Sequence, residues 1–420
     1  MIPLSLDEIA RITGGRPDGV GDPGAVVSGP VVIDSRRAGP GGLFAAVAGE
    51  RADGHDFAGA AIAAGAVAVL ATRPTGLPSL IVDDVPAALA RLATAVVGRL
   101  PGVTVAGITG SSGKTSTKDL TAQLVERLGP TVAPEGSYNN EFGFPLTVLR
   151  AGPDTRYMVL EMAARDAGHI ASLCQIAPPR IGAVLNVGHA HTGWFGGIEA
   201  VARAKGELAE ALPAGGVAVL NADDPRVAAM AGRTAARVVT FGLGRAGHGA
   251  DVSAAGVRLD DLGRPAFTLV TSAGSAPVRM GLHGAHNVPN ALAAAAIAAE
   301  MGLGLADIAA GLSSAAARSR WRMEVARSAR GVTVINDAYN ANPEAVRAAL
   351  DTLTLLARGR RSFAVLGPMS ELGAQSRARH EEIGGYAARA GLTGLIVVGE
   401  EAGPILTGAK AEPSWGGELV

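Results

Sequence analysis

The sequence predicts an α/β protein of three domains, and three observations lead there. At 420 residues the chain exceeds what one hydrophobic core usually serves. Short apolar runs alternate with helical stretches along most of its length, the pattern of largely parallel sheets joined by crossover helices. A glycine-rich turn, Gly107-Ile-Thr-Gly-Ser-Ser-Gly-Lys-Thr-Ser-Thr117, stands between one such run and an amphipathic helix. Composition narrows the setting. A net charge of −1 over 37 basic and 38 acidic residues gives no electrostatic case for nucleic acid or an anionic membrane. The single cysteine, Cys174, cannot form an internal disulfide, which fits a reducing compartment. The N-terminal stretch has acidic residues where a signal peptide has a basic start. The alanine-rich run from Ala291 is cut by Glu300, too short to span a bilayer. A cytoplasmic location is expected.

Taken in order, residues 1–100 hold short apolar runs (Val31 to Ile33, Val67 to Leu70, Leu80 to Val82) and a helical stretch from Phe57 to Ala64, a small α/β domain. Residues 101–315 form a central domain. Strand-like runs recur there at Val103 to Thr109, Met158 to Leu160, Ile181 to Val187, Val217 to Leu220 and Val238 to Phe241. Residues 250–283 read as short alternating strands with glycine turns, before a helix near Asn287. Residues 316–420 form a third domain, with strand–helix alternation through Val332 to Ile335, Pro343 to Leu355, Phe363 to Leu366 and Leu395 to Val398. A short helix is expected near Ala402 to Thr407, and the tail from Lys410 to Val420 shows no pattern.

The glycine-rich turn is a phosphate cradle. Its glycines let successive N–H groups point inward, and the following helix adds the partial positive charge of its N-terminus. Gly110, Ser111, Ser112, Gly113, Lys114, Thr115 and Ser116 are the expected contacts to a nucleotide, with Lys114 on the terminal phosphates and the Thr115 hydroxyl on Mg2+. The spacing departs from the common nucleotide loop, because Ile108 stands five residues before Gly113. Other polar residues fall at strand ends, where an open α/β sheet places its ligand. Glu161 closes the run MVLE, and reads equally as a metal ligand or a solvated loop carboxylate. His189 and His191 end another run; a histidine there is often a hydrogen-bonded structural residue. Lys205 reads locally as a solvated ion pair with its neighbouring glutamate. Asn287 and Asn290 lie where they could cap a helix. Asp337 and Asn340, between a strand and the helix beginning at Pro343, carry groups suited to a ribose or an adenine edge.

The order of phosphate loop, YNNEFGFPLTVL, LEMA, NVGHAH, ARAKGE, HNVPNALAA, WRME, NDAYNANP and VLGPMSELG resembles the Mur ligase family from end to end. The resemblance implies a three-domain architecture: a small N-terminal domain, a central P-loop ATPase-like domain and a C-terminal Rossmann-like domain. DAYNANP and LGPMSELG resemble the members that add D-alanyl-D-alanine to UDP-N-acetylmuramoyl-tripeptide. Those two small molecules are then the expected partners of a monomer, with ATP and two Mg2+ sites. By the same resemblance Ser35, Arg36, Asp53 and His55 meet the UDP end of the substrate, and Asn139 and Asn140 its sugar-pyrophosphate. Thr115 and Glu161 match ligands of one Mg2+, and His191 a ligand of the second. Lys205 matches a lysine that is carbamylated into an anionic metal ligand, contrary to its local reading. Asn287, Asn290, Asp337 and Asn340 match nucleotide contacts, and Arg322 matches an arginine that reaches the phosphates from the third domain.

The implied chemistry passes the γ-phosphoryl of ATP to a carboxylate, and an amine then displaces phosphate from the acyl phosphate. Such transfer is mostly positioning and charge neutralisation. Because Arg322 and Lys114 belong to different domains, the site is expected to be complete only on domain closure, which also shields the acyl phosphate from water. Family members usually close with a further strand and a Lys-Gly-Ser, so the third domain is expected to be incomplete here. Two rivals stay open: another amide ligase of this fold, such as a tripeptide-forming enzyme or a folylpolyglutamate synthase, and a nucleotide-binding partner protein that forms no bond.

Overall fold

The computed structural model describes residues 1–50, 52–188, 196–244 and 249–420. The chain divides into two compact units, Met1–Val105 with Gly129–Met162 and Ser172–Pro179, and Ala106–Leu128 with Ala163–Ala171 and Arg180–Val420.

In the first unit, Ser5 and Glu8 cap the helix Leu6–Thr13 reciprocally: Glu8 N–H donates to Ser5 Oγ at 3.2 Å, and Ser5 N–H to the Glu8 carboxylate at 3.0 Å. Gly14 ends the helix in the left-handed conformation (φ 70), which costs glycine nothing. Among the described residues a sheet runs in the order Arg16–Asp18, Ser79–Ile81, Ala66–Ala71, Gly42–Ala45, Val31–Val32, parallel except at its first pair. Phe44, Ala61 and Val69 pack into its core. The apolar runs expected at 31–33, 67–70 and 80–82 are these strands. The helix expected from Phe57 is Ala58–Ala63, entered through the tight turn Gly54–Phe57. Later in this unit Tyr157–Glu161 pairs in parallel with Thr131–Val132.

The second unit holds the strands in the order Gly274–Arg279, Pro265–Thr271, Val252–Leu259, Arg237–Gly242, Val217–Asn221, Ile181–Val184, Thr104–Thr109. Pairing is parallel from Thr104–Thr109 to Val252–Leu259 and antiparallel beyond. Helices Lys114–Val125 and Asn287–Glu300 pack together, the second rich in alanine, which favours helix and permits close approach. Burying side chains such as Leu124, Leu292 and Ile297 stabilises this core by roughly 1.5–3 kcal/mol each. The strand expected to reach Val187 stops at Val184, because the backbone beyond it turns to the phosphate loop: Ser111 N–H donates to the Asn186 carbonyl at 3.1 Å.

Past Ser314 the chain is strapped along helix Lys114–Val125 and the turn after it. Gln123 pairs with Ala316 through both its amide atoms, each at 3.0 Å, Ser319 N–H donates to Asp119 Oδ2 at 3.1 Å, and Arg318 forks onto Glu126 at 2.6 and 2.5 Å. Glu324–Arg327 and Thr333–Asn336 then form an antiparallel pair. Phe363–Leu366, Gly394–Val397 and Glu418–Leu419 form a parallel sheet, packed with helices Pro343–Ala357, Ser376–Arg389 and Pro404–Lys410 around Leu350, Ile383, Leu395 and Ile405. The tail that shows no pattern in sequence thus supplies a strand. Two residues are too few to display a period, and Trp415 and Leu419 anchor the segment on the core. No helix among the described residues is long and apolar enough to cross a membrane.

Candidate active site

The phosphate loop follows directly from strand Thr104–Thr109 and opens helix Lys114–Val125. Gly113 stands at the turn with φ 78, where a side chain is strained, and a methyl group there would come within 2.4 Å of Asn290 Oδ1. Lys114 Nζ donates to the Gly110 carbonyl at 2.8 Å. From the neighbouring strand end, Asn186 braces the loop on both sides of its amide. Its Oδ1 accepts from Ser112 N–H at 2.9 Å, and its Nδ2 donates to the Ser112 carbonyl at 3.1 Å. Gly188 N–H donates to Ser111 Oγ at 2.8 Å, and Val187 N–H to Asp224 Oδ2 at 2.8 Å. Ser116, the third residue of the helix, is half-buried.

Three further segments reach this loop. Asn287 and Asn290, both buried, are linked at 3.3 Å, and Asn287 Nδ2 also donates to the His283 carbonyl at 2.7 Å. Arg322 Nη2 donates to Thr115 Oγ1 at 3.0 Å, with its guanidinium 4.3 Å from the Tyr339 ring centre. Asp337 Oδ1 accepts from Met323 N–H at 2.8 Å, so the strand end carrying Asp337 fixes the turn that presents Arg322. Burial raises the Asp337 pKa above the usual carboxylate range, against the opposing pull of that N–H and of Arg322. Asn340 is exposed. Lys205 is fully buried in helix Ile198–Glu210, and its pKa is driven well below that of an ordinary lysine, by burial first and by the charge of Lys114 second. Its local reading as a solvated ion pair does not hold, because the helix turns Lys205 inward while Glu207 accepts from Gly168 and Ala171 N–H groups at 2.6 and 3.1 Å.

In the first unit, Glu161 ends its strand fully buried. Asn139 Nδ2 donates to its Oε1 at 2.6 Å, while its Oε2 has no hydrogen-bond partner among the described residues. Asn140 instead accepts from Gly143 N–H at 2.9 Å, at the start of helix Gly143–Val148. Ser35 begins a tight turn whose cap, Asp34, is held at about 2 by the guanidinium of exposed Arg36, at 2.9 and 2.7 Å. His55 spends both ring nitrogens inside the protein: Nδ1 lies 2.6 Å from Asp53 Oδ1, and Nε2 accepts from Thr72 N–H at 3.1 Å. Asp53 is held far below the usual carboxylate range, by the His55 N–H first, then the His55 ring and Arg73.

His191 and His189 lie outside the described residues. Among the described residues no group of three or more His, Cys, Asp or Glu side chains is placed to hold a metal. Sequence reasoning passed over Asn186 and Tyr339. Both lie within segments it singled out, and a strand-end amide next to a phosphate loop, or an aromatic two residues from Asp337, was the available signal.

Three family models match the chain: Mur ligase family, catalytic domain, over residues 30–101; Mur ligase middle domain over 108–298; and Mur ligase, glutamate ligase domain, over 321–414. The UDP-N-acetylmuramoyl-tripeptide--D-alanyl-D-alanine ligase of Mycobacterium tuberculosis is 50% identical, over 99% of this chain and 87% of its own length. The ligase of the same name from Escherichia coli is 37% identical, over 97% and 88%. Among solved structures, MurF from Acinetobacter baumannii is 31% identical with a TM-score of 0.87, covering 100% of this chain and 90% of its own. MurF ligase from Thermotoga maritima in complex with ADP is 30% identical with a TM-score of 0.77, covering 93% and 88%.

Proposed function

The chain belongs to the Mur ligase family, and from that premise we propose that it joins D-alanyl-D-alanine to UDP-N-acetylmuramoyl-tripeptide in an ATP-dependent amide ligation of peptidoglycan synthesis. The observation that carries the chemistry is the convergence of Lys114, Thr115 and Arg322 on one phosphate loop. The substrates follow from relatives that are named for this reaction and match nearly the full chain.

A carboxylate is a poor acyl donor, so the acceptor is first phosphorylated by ATP and the amine then displaces phosphate. The loop's inward N–H groups hold the phosphates, and Lys114 and Arg322 neutralise charge on the phosphoryl group in transfer. Asn287 and Asn290 support the loop and the nucleotide, and Asp337 and Asn340 take its ribose and base. Ser35 and Arg36 meet the UDP end of the acceptor. Asp53 and His55, bonded to each other and to Thr72, shape that loop, and Asn139 and Asn140 lie toward the sugar-pyrophosphate. The family matches at 30–101, 108–298 and 321–414 support a division into domains at 1–100, 101–315 and 316–420.

The residues suit Mg2+. The Glu161 Oε2, buried without a hydrogen-bond partner among the described residues, is a group that a hard cation relieves, and Thr115 offers a hydroxyl oxygen. Bound there, the metal supplies charge neutralisation on phosphate oxygens. By the family resemblance His191 and Lys205 would hold a second ion. For Lys205 the reading includes carbamylation. What supports it is chemical: only a neutral amine takes up CO2, and burial lowers the pKa of this one, favouring its neutral form. We place the reaction in the cytoplasm, in a monomer; sedimentation of the purified chain tests the latter. The reaction itself is tested by phosphate release with mass analysis of the product. A pentapeptide mass is expected, formed only with all three substrates, and incorporation of another amine in its place would move the chain to a sibling ligase.

A further inference from the structure

Helix Ile198–Glu210 carries Lys205 on its buried face, with Val201, Ala204 and Leu208. Water solvates an amine or ammonium far better than a protein interior does. A helix free to roll would turn this lysine outward, so its orientation is imposed by contacts that do not involve the lysine. On the buried side Leu208 lies over the bare face of Gly182, where a methyl group would come within 3.0 Å of the leucine Cγ. On the far side the helix is clasped by residues 225–233. Arg226 Nε donates to Glu199 Oε1 at 2.8 Å, in the first turn of the helix.

Arg233, the last residue of the tight turn Ala229–Arg233, makes the second and larger contact. Its Nη2 donates to the Arg203 carbonyl at 2.9 Å, its Nη1 to the Ala202 carbonyl at 3.3 Å, and its Nε to Glu210 Oε1 at 2.8 Å. Each carbonyl has a second lone pair to offer beyond the helix's own bond, and a planar guanidinium can fork onto two of them where an ammonium cannot. Gly206 admits the fork. A methyl group at that position would collide with the Arg233 guanidinium. Glycine inside a helix is otherwise unfavourable, and an exposed ion pair of Arg233 with Glu210 contributes little and needs neither the carbonyls nor the glycine. The position next to Lys205 is thus given up to seating an arginine on the opposite face.

We infer that Arg233 is a positioning residue for the ligation: seated on Gly206, it fixes the roll of helix Ile198–Glu210 and so holds Lys205 inward. The inference rests on the role proposed above for Lys205. Arg233 itself touches neither substrate nor metal in this account and acts only through that lysine.

The test uses Arg233→Ala and Gly206→Ala in the full chain, with two readouts. The first is kinetic. In Arg233→Ala, kcat is expected to fall about 10- to 100-fold, the scale of a misplaced catalytic group, with the KM for D-alanyl-D-alanine and the affinity for ADP unchanged. Gly206→Ala is expected to do the same by displacing the guanidinium, although alanine favours helix over glycine. The double variant is expected to be no worse than either single one, because both remove the same contact. The second readout is acetylation mapped by peptide mass spectrometry over the chain's lysines, Lys114, Lys118, Lys205 and Lys410. Lys118 is as buried as Lys205 and serves as the internal control for general loosening. Lys205 is expected to be protected in the parent and labelled in both variants, with Lys118 protected throughout. Added ethylguanidinium, which replaces the deleted atoms, is expected to restore rate and protection in Arg233→Ala and not in the double variant. Parental kcat in Arg233→Ala, a slowed variant whose Lys205 stays protected, or labelling of Lys118 together with Lys205 overturns the assignment of Arg233. A parent protein that forms no pentapeptide overturns the underlying reaction instead, while labelling still decides whether Arg233 holds Lys205.

Discussion

Arg322 donates from Nη2 to the Oγ1 of Thr115 at 3.0 Å, a hydrogen bond between residues 207 positions apart. Its geometry is forced. The flanking residues Trp321 and Met323 have φ values of 60 and 50, a conformation that costs non-glycine residues about 1–3 kcal/mol each and persists only where the surroundings dictate it. Here they do so from both sides. The preceding segment is tied to Asp119, Gln123 and Glu126, and the following one to Asp337 and Tyr339.

Replacing Arg322 therefore acts on catalysis more than on folding. Arg322→Ala is expected to lower kcat by about 10²–10³-fold, the usual effect of losing one preorganised charge-bearing donor, with little change in melting temperature. Arg322→Lys is expected to recover little, since an ammonium neither stacks on Tyr339 nor forks toward two oxygens. Steady-state rates for the two variants check this, and a lysine variant near parental activity would mean that charge alone suffices.

Gly113 tolerates no side chain for two separate reasons, its φ of 78 and the 2.4 Å approach of a built methyl to Asn290 Oδ1. Gly113→Ala is expected to cost on the order of 1–3 kcal/mol of stability and to abolish ADP binding, because either the turn or the Asn290 side chain must move. Gly102→Ala, with nothing within 4 Å and an ordinary φ, is the control. Calorimetric titration with ADP separates the two; equal binding in both variants would show that the loop absorbs the methyl without consequence.

What the sequence made legible and what it hid divide along physical lines. The loop at 110–115 is readable because a phosphate nest requires glycines, a lysine and a threonine consecutively. The apolar runs are readable because strands buried on both faces need them. Lys205 is misread locally, because burial depends on which face of its helix turns inward, a property of the tertiary packing that the Lys–Gly–Glu neighbourhood does not record. The strap of Asp119, Gln123 and Glu126 on 316–319 is invisible for the same reason: each of those residues is an ordinary polar position on a helical surface until the partner segment is known. His55 and Asn140 carry bonds that the sequence does not record, since polar atoms of these two residues expected near the substrate are engaged by Asp53, Thr72 and Gly143.

For Lys205 the expected outcome is loss of turnover on Lys205→Ala, with part of the rate restored by small carboxylates that take the place of a carbamate. A plain ammonium is the least suitable group at this position: it is buried and faces the charge of Lys114. Rates measured with and without added formate, and with bicarbonate stripped from the parent protein, check the idea. An active Lys205→Ala variant would sink it.

The last prediction concerns acid. His286 opens the helix carrying Asn287 and Asn290, and burial lowers its pKa from 6.5 to about 4. The sign follows from proton uptake. Above 6.5 the ring is neutral in both folded and unfolded chains, and the stability is fully present. As the pH falls from 6.5 toward 4 the unfolded chain gains a proton that the folded one refuses, so stability declines through that window and levels off below it. The loss attributable to this one residue is on the order of 3 kcal/mol. Nucleotide affinity should fall only as the pH drops through about 4, where the folded ring itself takes up the proton and turns a second donor toward Asn287 Nδ2, which lies 3.4 Å from His286 Nε2. His286→Gln removes the titration. It is expected to cost some stability at every pH, since the ring packs over Gly284, but to flatten the slope between the two pKa values. Denaturant unfolding of both proteins at about pH 7 and about pH 4.5 measures the difference. Equal losses in parent and variant would assign the acid sensitivity to other groups and leave His286 as a packing residue only.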